Sequence, residues 1–287
     1  MDLQQMINRD LEKFTVIATV NEVLKKYIEA RKKGEEFQGL SAKEIKQGFD
    51  DTATRYGYRE FYHTYLQRHT KDGDYFQEIS SKKFAFRNEL VDGLDIETLE
   101  TLQNMIQEHW DKKEDDKNKR LSLIQEKIGI DSAEIDDRYN FIIEQLKSND
   151  GKTGQNFEIM AFSILQTYFA LLGFSLKRFS TTFANDGGMD FISSDAFYQV
   201  TATPTQKKID SDLSKMPSKK RVLVVKKELK DTEYKMIMSR SDVLIIVTLS
   251  DLQKHFLDWL YEYDKRLEHA NFLQKVLETA YQEYKRE

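Results

Sequence analysis

The chain has 287 residues, of which 44 are Lys or Arg and 49 are Asp or Glu, so its formal net charge is −5 at pH 7. It has 12 Gly, 2 Pro and no Cys, which excludes collagen-like and low-complexity classes, a disulfide framework and a thiolate zinc site. No apolar run approaches the ~20 residues that a membrane span needs, and the first residues do not form a signal peptide. We therefore expect a helix-rich cytoplasmic protein that does not interact with membranes.

The acidic excess is concentrated in the middle of the chain. The net charge is +2 over residues 1–88, −9 over 89–150 and +2 over 151–287. Within the last segment, residues 201–240 alone carry a net charge of +6. The negative total therefore does not exclude a nucleic acid as the partner.

The beginning of the chain predicts three helices. Apolar side chains recur at helical spacing over residues 6–33, and Gly34 ends this stretch. Ser41 and Glu44 have the spacing of a capping box at the start of a second helix. A third helix, rich in aromatic residues, is predicted over Tyr58–His69.

A β-hairpin is predicted after these helices, with strands Tyr75–Ile79 and Phe84–Phe86. Three helices followed by a hairpin is the order of a winged helix, so we expect residues 1–90 to form a winged-helix-like DNA-recognition domain. A small helical packing domain with an aromatic core is the alternative, because a net charge of +2 is weak for a DNA reader. The side chains expected to contact DNA lie on the third helix and the hairpin: Arg59, His63, Gln67, Arg68, Lys82, Lys83 and Arg87.

Residues 91–150 predict an acidic helical connector or dimerisation segment. Helical spacing of apolar residues runs over 95–147, and the almost entirely charged stretch Asp111–Arg120 indicates a solvated helix face or a connecting turn. Ser148–Gly154 has the composition of a linker, and we place the domain boundary there.

Residues 151–287 predict a mixed sheet flanked by helices, so the chain as a whole belongs to the α+β or α/β class. The predicted helices are Phe157–Leu172, Gln206–Met216, Leu252–Leu267 and 270–284. The predicted strands are Phe174–Phe179, Met189–Ile192, Ala196–Thr203, Arg221–Val225 and Val243–Thr248.

The residues most suited to chemistry lie on two of these strands. Two glycines precede Asp190, and strand alternation places Gln199 and Thr201 on one face of the next strand. If the strands are neighbours, a carboxylate and an amide oxygen lie side by side, and such oxygen donors suit Mg²⁺. Glu158 lies beside an apolar helical stripe, where a carboxylate requires a partner. Taken singly, such residues are more often a capping acid in a turn or a surface acid at a helix start, and only their ordered combination favours a site.

At these residues the sequence resembles the PD-(D/E)xK nuclease superfamily, which has the restriction-endonuclease-like fold, and in particular its Gly-Gly-x-Asp … Gln-x-Lys subgroup. The resemblance covers roughly residues 155–250. It implies that Asp190, Gln199 and Glu158 bind the metal and take part in catalysis. Thr201 replaces the family Lys, which positions the attacking water and stabilises the phosphate. Either Lys207 or Lys208 takes over this role, or the domain has lost cleavage and kept binding.

The resemblance therefore implies a Mg²⁺-dependent endonuclease that hydrolyses double-stranded DNA, of the restriction or antiviral defence type. Such enzymes usually act as two-fold homodimers, and segment 95–147 or the C-terminal helix is the expected interface. No Walker-type loop indicates a nucleotide cofactor. A non-catalytic DNA-binding regulator or defence-complex subunit with a decayed nuclease fold is the alternative, and a helical scaffold for protein partners is a third. Further phosphate contacts are expected from Lys215, Lys219 and Lys220.

Overall fold

The computed structural model describes residues 1–55, 75–80, 82–129, 134–148, 154–179, 190–201, 205, 220–238, 243–267 and 270–286. These residues form a mixed α+β protein with one small and one larger sheet. The chain divides into two compact units, Met1–Asn118 and Lys119–Glu287. Among the described helices, none is long and apolar enough to cross a membrane.

The first unit combines helices with a small antiparallel sheet. Its helices are α1 (Leu3–Asp10), α2 (Phe14–Lys32), α3 (Ala42–Arg55), α4 (Asn88–Val91) and the first part of α5 (Ile96–Ile128). Its strands are β1 (Leu40–Ser41), β2 (Phe76–Ser80) and β3 (Lys83–Phe86), in the order β1-β3-β2.

The predicted capping box forms at the start of α3. The Glu44 N–H donates to the Ser41 hydroxyl at 3.3 Å, and the Ser41 N–H donates to the Glu44 carboxylate at 2.8 Å. The predicted helix over residues 6–33 is instead two helices. The chain turns after α1 because the Lys13 N–H donates to the Asp10 carbonyl, while the buried Asp10 carboxylate accepts from the Lys13 ammonium and the Tyr75 hydroxyl.

The predicted hairpin is present as β2 and β3, joined through Lys82, whose φ of 67° is in the left-handed region. The sequence did not predict strand β1, which pairs with β3 through Leu40 and Phe84. The predicted helix Tyr58–His69 lies outside the described residues.

The second unit is built around a five-stranded sheet. Its helices are the end of α5, α6 (Ile135–Lys147), α7 (Gln155–Leu171), α8 (Asp231–Met238), α9 (Leu249–Asp251), a π-helical segment (Leu252–Leu257), α10 (Asp258–Arg266) and α11 (Phe272–Arg286). Its strands are β4 (Lys177–Arg178), β5 (Phe191–Ile192), β6 (Ala196–Thr201), β7 (Lys220–Val225) and β8 (Val243–Thr248).

The strands follow the order β4-β5-β6-β7-β8. Strand β5 is antiparallel to both β4 and β6, whereas β6, β7 and β8 run parallel to one another. Strand β4 is only two residues long, shorter than the predicted strand Phe174–Phe179, and helix α8 was not predicted. The predicted helix Gln206–Met216 lies outside the described residues.

Each face of this sheet has its own apolar cluster. On one face, Tyr198 and Val200 pack in a large core with residues of α7 and α11, such as Ile164 and Leu277. This core also includes Ile142 of α6, which explains why the compact unit begins before the predicted linker. On the other face, a smaller cluster joins the sheet to α8: Phe197, Leu223, Val225 and Ile237.

A buried carboxylate lies between two helices of the first unit. Glu22 on α2 is only 8% exposed, and its carboxylate occupies the space beside Gly48 on α3. A Cβ atom at Gly48 would lie 1.9 Å from the Glu22 Cδ, so glycine leaves the room that this group needs. Burial raises the pKa of Glu22 above its ordinary value of 4.5, although Lys25 and Lys26 oppose the shift.

The substitution Glu22→Gln is expected to raise the free energy of unfolding at pH 7. A raised folded-state pKa means that the ionised form is disfavoured in the folded protein, so the carboxylate lowers stability once it is charged. The gain is expected to vanish below pH ~4, where Glu22 is protonated in both states. Urea unfolding followed by Trp110 fluorescence, in a Trp259→Phe background, measures the effect in the first unit.

Glu29→Gln on the same helix is the matched control. A hydrogen bond from Lys26 lowers the pKa of Glu29, so ionised Glu29 favours folding and its replacement brings no gain at pH 7. A loss of stability in Glu22→Gln at pH 7 would contradict the account of this group.

Candidate functional site

Asp190 is held at the start of β5 by both its backbone and its side chain. Its N–H donates to the Tyr198 carbonyl at 3.0 Å, and its carbonyl accepts from the Phe179 N–H at 2.9 Å. The Val200 N–H donates to the carboxylate Oδ2 at 2.6 Å. The carboxylate is therefore oriented along the edge of β6 by a backbone donor.

Gln199 is the cross-strand neighbour of Asp190. The antiparallel register pairs Phe191 with Tyr198, and one step further along this register places Asp190 opposite Gln199. The expectation that the two strands are neighbours is thus met. The Gln199 amide donates through Nε2 to the Val200 carbonyl at 3.4 Å.

Two side-chain oxygens on this stretch of β6 are buried, and neither has a donor among the described residues. Gln199 is 8% exposed and Thr201 is 2% exposed. In the part of the chain that the structure describes, neither the Gln199 Oε1 nor the Thr201 Oγ1 has a hydrogen-bond partner. A buried oxygen without a hydrogen-bond partner lowers the stability of the folded protein by about 1–3 kcal/mol. A cation or a hydrogen-bond donor that binds at this position would remove that cost.

Glu158 has a different partner. Arg178 on β4 donates through Nε to the Glu158 Oε1 at 2.9 Å, and its Nη2 lies 2.8 Å from the same oxygen. The Arg178 Nη1 also donates to the Glu283 Oε2 on α11 at 3.2 Å, and Arg286 binds the other Glu283 oxygen at 2.5 Å. The side chains of Arg178, Glu158 and Glu283 are 2%, 10% and 8% exposed, so this is a buried ion network.

Glu158 and Gln199 belong to opposite faces of the sheet. Arg178 is in register with Phe191, whose side chain lies in the core with α7, so the Glu158–Arg178 pair belongs to that face. Tyr198 lies in the same core, and neighbouring residues of a strand alternate between its faces. The Gln199 side chain therefore lies on the opposite face of the sheet, which α8 covers. The structure therefore does not place Glu158 and Gln199 on one face: the Glu158 carboxylate contacts Arg178, and a role for Glu158 at the metal stays a prediction.

Arg178 was not among the residues predicted from the sequence, although a signal for it existed. Leu176 is buried, and a period of two places Arg178 on the same core-facing side of its strand. A guanidinium at such a position requires a buried acid as a partner. Lys226 was also missed: its N–H donates to the Thr201 carbonyl at 3.2 Å, and its ammonium donates to the Ser148 carbonyl at 2.5 Å.

Few of the basic side chains predicted to contact DNA are described. On the hairpin of the first unit, Lys82 is exposed, Lys83 is half-buried at the start of β3, and Arg87 forms an ion pair with Glu89 at 3.0 Å. Lys220 begins strand β7. The other predicted basic and polar contacts lie outside the described residues: Arg59, His63, Gln67, Arg68, Lys207, Lys208, Lys215 and Lys219.

Within the described ranges, no three His, Asp or Glu side chains are grouped so as to hold a metal ion. The remaining donor set combines the Asp190 carboxylate with the Gln199 amide oxygen. Mg²⁺ commonly binds one or two carboxylates and keeps several waters, so this set fits its chemistry.

No family model, curated protein or solved structure matches this chain. The fold and the site define its class as an α+β protein with a mixed five-stranded sheet, in which an acid and an amide are cross-strand neighbours.

Replacing Arg178 with Ala is expected to lower the free energy of unfolding of the second unit by about 3–5 kcal/mol, because the buried Glu158 carboxylate loses the Arg178 cation and Glu283 keeps only Arg286. Urea unfolding followed by Trp259 fluorescence, in a Trp110→Phe background, measures this loss. Lys177→Ala on the same strand is the control, since Lys177 is exposed and its removal should change stability by less than about 0.5 kcal/mol. Equal stability of the two variants would contradict the buried network.

Proposed function

We propose that the second unit is a Mg²⁺-dependent endonuclease that hydrolyses phosphodiester bonds in double-stranded DNA, of the restriction or antiviral defence type. The observation that carries the proposal is the cross-strand pair of Asp190 and Gln199. The carboxylate is oriented by the Val200 N–H, and the Gln199 Oε1 is buried without a donor among the described residues.

The topology of the second unit supports the proposal. A helix that bears Glu158 precedes three antiparallel strands, and the third of these runs parallel to the next strand along the sheet. This succession agrees with the order implied by the resemblance to PD-(D/E)xK nucleases. Asp190 precedes the second of the three strands and Gln199 lies on the third, as that resemblance requires.

In this proposal Asp190 and Gln199 hold the ion. A bound Mg²⁺ supplies a water of lowered pKa and neutralises charge on the scissile phosphate. The Val200 N–H and carbonyl orient the two side chains, so the donors are positioned before a cation binds. Glu158 does not hold the ion, because its carboxylate binds Arg178 on the other face.

Thr201 occupies the position of the family Lys and provides a hydroxyl, which carries no charge to offset that of the phosphate. Lys207 and Lys208, a few residues further along the chain, are proposed as the source of an ammonium group. Lys226 is adjacent to Thr201 through its backbone, but its ammonium donates to the Ser148 carbonyl.

The topology of the first unit supports a winged-helix-like DNA-recognition domain. Strand β1 lies between α2 and α3 in the chain and pairs with β3, so the hairpin is joined to the helices through a three-stranded sheet. Lys82 and Lys83 lie at the turn of this hairpin, where basic side chains contact phosphates.

Asp190→Ala is expected to reduce Mg²⁺-dependent nicking of plasmid or phage DNA by at least about a hundredfold, because the metal-derived stabilisation of the transition state is worth several kcal/mol. The assay compares purified wild-type and variant chains on methylated and unmethylated DNA, with Mg²⁺ or with EDTA. Asp195→Ala is the matched control, since this exposed acid lies in the turn between β5 and β6.

Loss of cleavage in Asp190→Ala with retention in Asp195→Ala is the expected result. If the wild-type chain cuts none of these substrates, or if Asp190→Ala cuts as well as the wild type, the nuclease proposal fails.

Gln199→Leu is expected to affect stability and activity in opposite directions. Removal of a buried oxygen that has no donor in the described ranges should raise the free energy of unfolding in EDTA by about 1 kcal/mol or more. Loss of the same oxygen should raise the Mg²⁺ concentration that gives half-maximal cleavage. Thermal melts in EDTA and cleavage assays over a Mg²⁺ titration measure the two effects. Lower stability in EDTA would show that the amide has a structural partner instead.

A non-catalytic DNA-binding regulator or defence-complex subunit is the second candidate, favoured by one observation. Thr201 places a neutral hydroxyl where the resemblance implies a lysine ammonium. This candidate predicts DNA binding with a steep salt dependence and no Mg²⁺-dependent nicking by the wild type. The cleavage assay above therefore separates the two candidates.

A further inference from the structure

The two edges of the five-stranded sheet differ in length and chemistry. The β4 edge is two residues long and consists of Lys177 and Arg178. The β8 edge is six residues long, Val243–Thr248, and contains no charged residue, no Gly and no Pro. Shortness and charge protect an edge strand from pairing with another chain, and β8 has neither.

The outer side of β8 carries backbone groups that the pairing with β7 does not use. Strand β8 pairs in parallel with β7 on one side. Across the described ranges, no further strand pairs with β8. Alternate N–H and C=O groups of an edge strand point away from the sheet, so this side offers hydrogen-bonding groups to a further strand.

Apolar side chains are exposed on both faces of this edge. Ile245 is 48% exposed, whereas Val247, two residues along on the same face, is 7% exposed and lies in the core. On the other face, α8 contacts β8 and packs on the sheet through Ile237. Tyr234 and Met238 of α8 are 47% and 37% exposed. The edge therefore presents backbone groups together with apolar side chains.

We propose that the β8 edge binds a second copy of this chain, with the two β8 strands antiparallel about a two-fold axis. An uncharged strand pairs with its own copy without like-charge repulsion, and the axis brings Ile245 close to Ile245 of the other copy. The two sheets then form one continuous sheet.

The apolar residues of α8 favour a second copy over a lone extended peptide. A peptide added to β8 satisfies the backbone groups but brings no helix to pack beside Tyr234 and Met238. A second copy brings its own α8 on the same face of the joined sheet, because a two-fold axis perpendicular to the sheet keeps both helices on one side. This interface differs from segment 95–147 and the C-terminal helix, which the sequence suggested.

Light scattering coupled to size-exclusion chromatography of the full chain, from about 1 to about 100 µM, tests the proposal. The wild type is expected to be a dimer, and Ile245→Lys is expected to raise the dimer dissociation constant at least about a hundredfold, because two ammonium groups meet at the axis. Leu172→Lys, at a residue 51% exposed after helix α7, is the control and should remain dimeric.

Leu123→Lys tests the competing interface on α5, where Leu123 is 50% exposed. A wild-type monomer over the whole range overturns the proposal. Dissociation by Leu123→Lys but not by Ile245→Lys also overturns it and assigns the interface to α5.

A cysteine cross-link covers the case in which Ile245→Lys fails to fold. The chain has no Cys, so Ile245→Cys introduces a single thiol. Mild oxidation of the Ile245→Cys variant is expected to give a disulfide-linked dimer. The same treatment of the Leu172→Cys variant is expected to give none. No cross-link at Ile245, or an equal yield at both positions, overturns the proposal.

Discussion

The buried Arg178 side chain is the contact on which the second unit depends. It links strand β4 to α7 through Glu158 and to α11 through Glu283. A buried charge that loses its partner is strongly destabilising, so these three elements are expected to stay together. The next residue, Phe179, donates its N–H to the Asp190 carbonyl. The ion network therefore lies one residue away from the backbone that holds the proposed catalytic acid.

This arrangement gives the two faces of the sheet different roles. The face toward α7 and α11 carries the large core and the ion network, whose charges are satisfied within the protein. The other face carries Gln199 and Thr201, whose side-chain oxygens have no donor in the described part of the chain. A polar group left unsatisfied beside a fixed carboxylate costs stability, and a function that uses it explains its presence. The proposed chemistry therefore belongs to the second face.

Local patterns predicted much of this fold. Side-chain chemistry predicted the capping box at Ser41, and runs of β-branched and apolar residues predicted the hairpin and strands β5 to β8. The pairing of Asp190 with Gln199 followed from their strand positions. The sequence did not show which face of the sheet each side chain occupies, because alternation tells which residues share a face but not which helix covers that face. Hence Glu158 was assigned to the metal, whereas Arg178, twenty residues along the chain, satisfies it. Strand β1 depends on long-range pairing with β3, and its two residues left no pattern in the sequence.

The most direct test of the central claim is a crystal structure of the full chain with Mn²⁺ in place of Mg²⁺, in which anomalous scattering locates the ion. The account predicts a peak bonded to the Asp190 carboxylate and the Gln199 Oε1, with Glu158 still bound to Arg178. A peak coordinated by Glu158 after it has separated from Arg178 would contradict the assignment of the site to the second face. The absence of any peak at Asp190 would contradict the metal site itself.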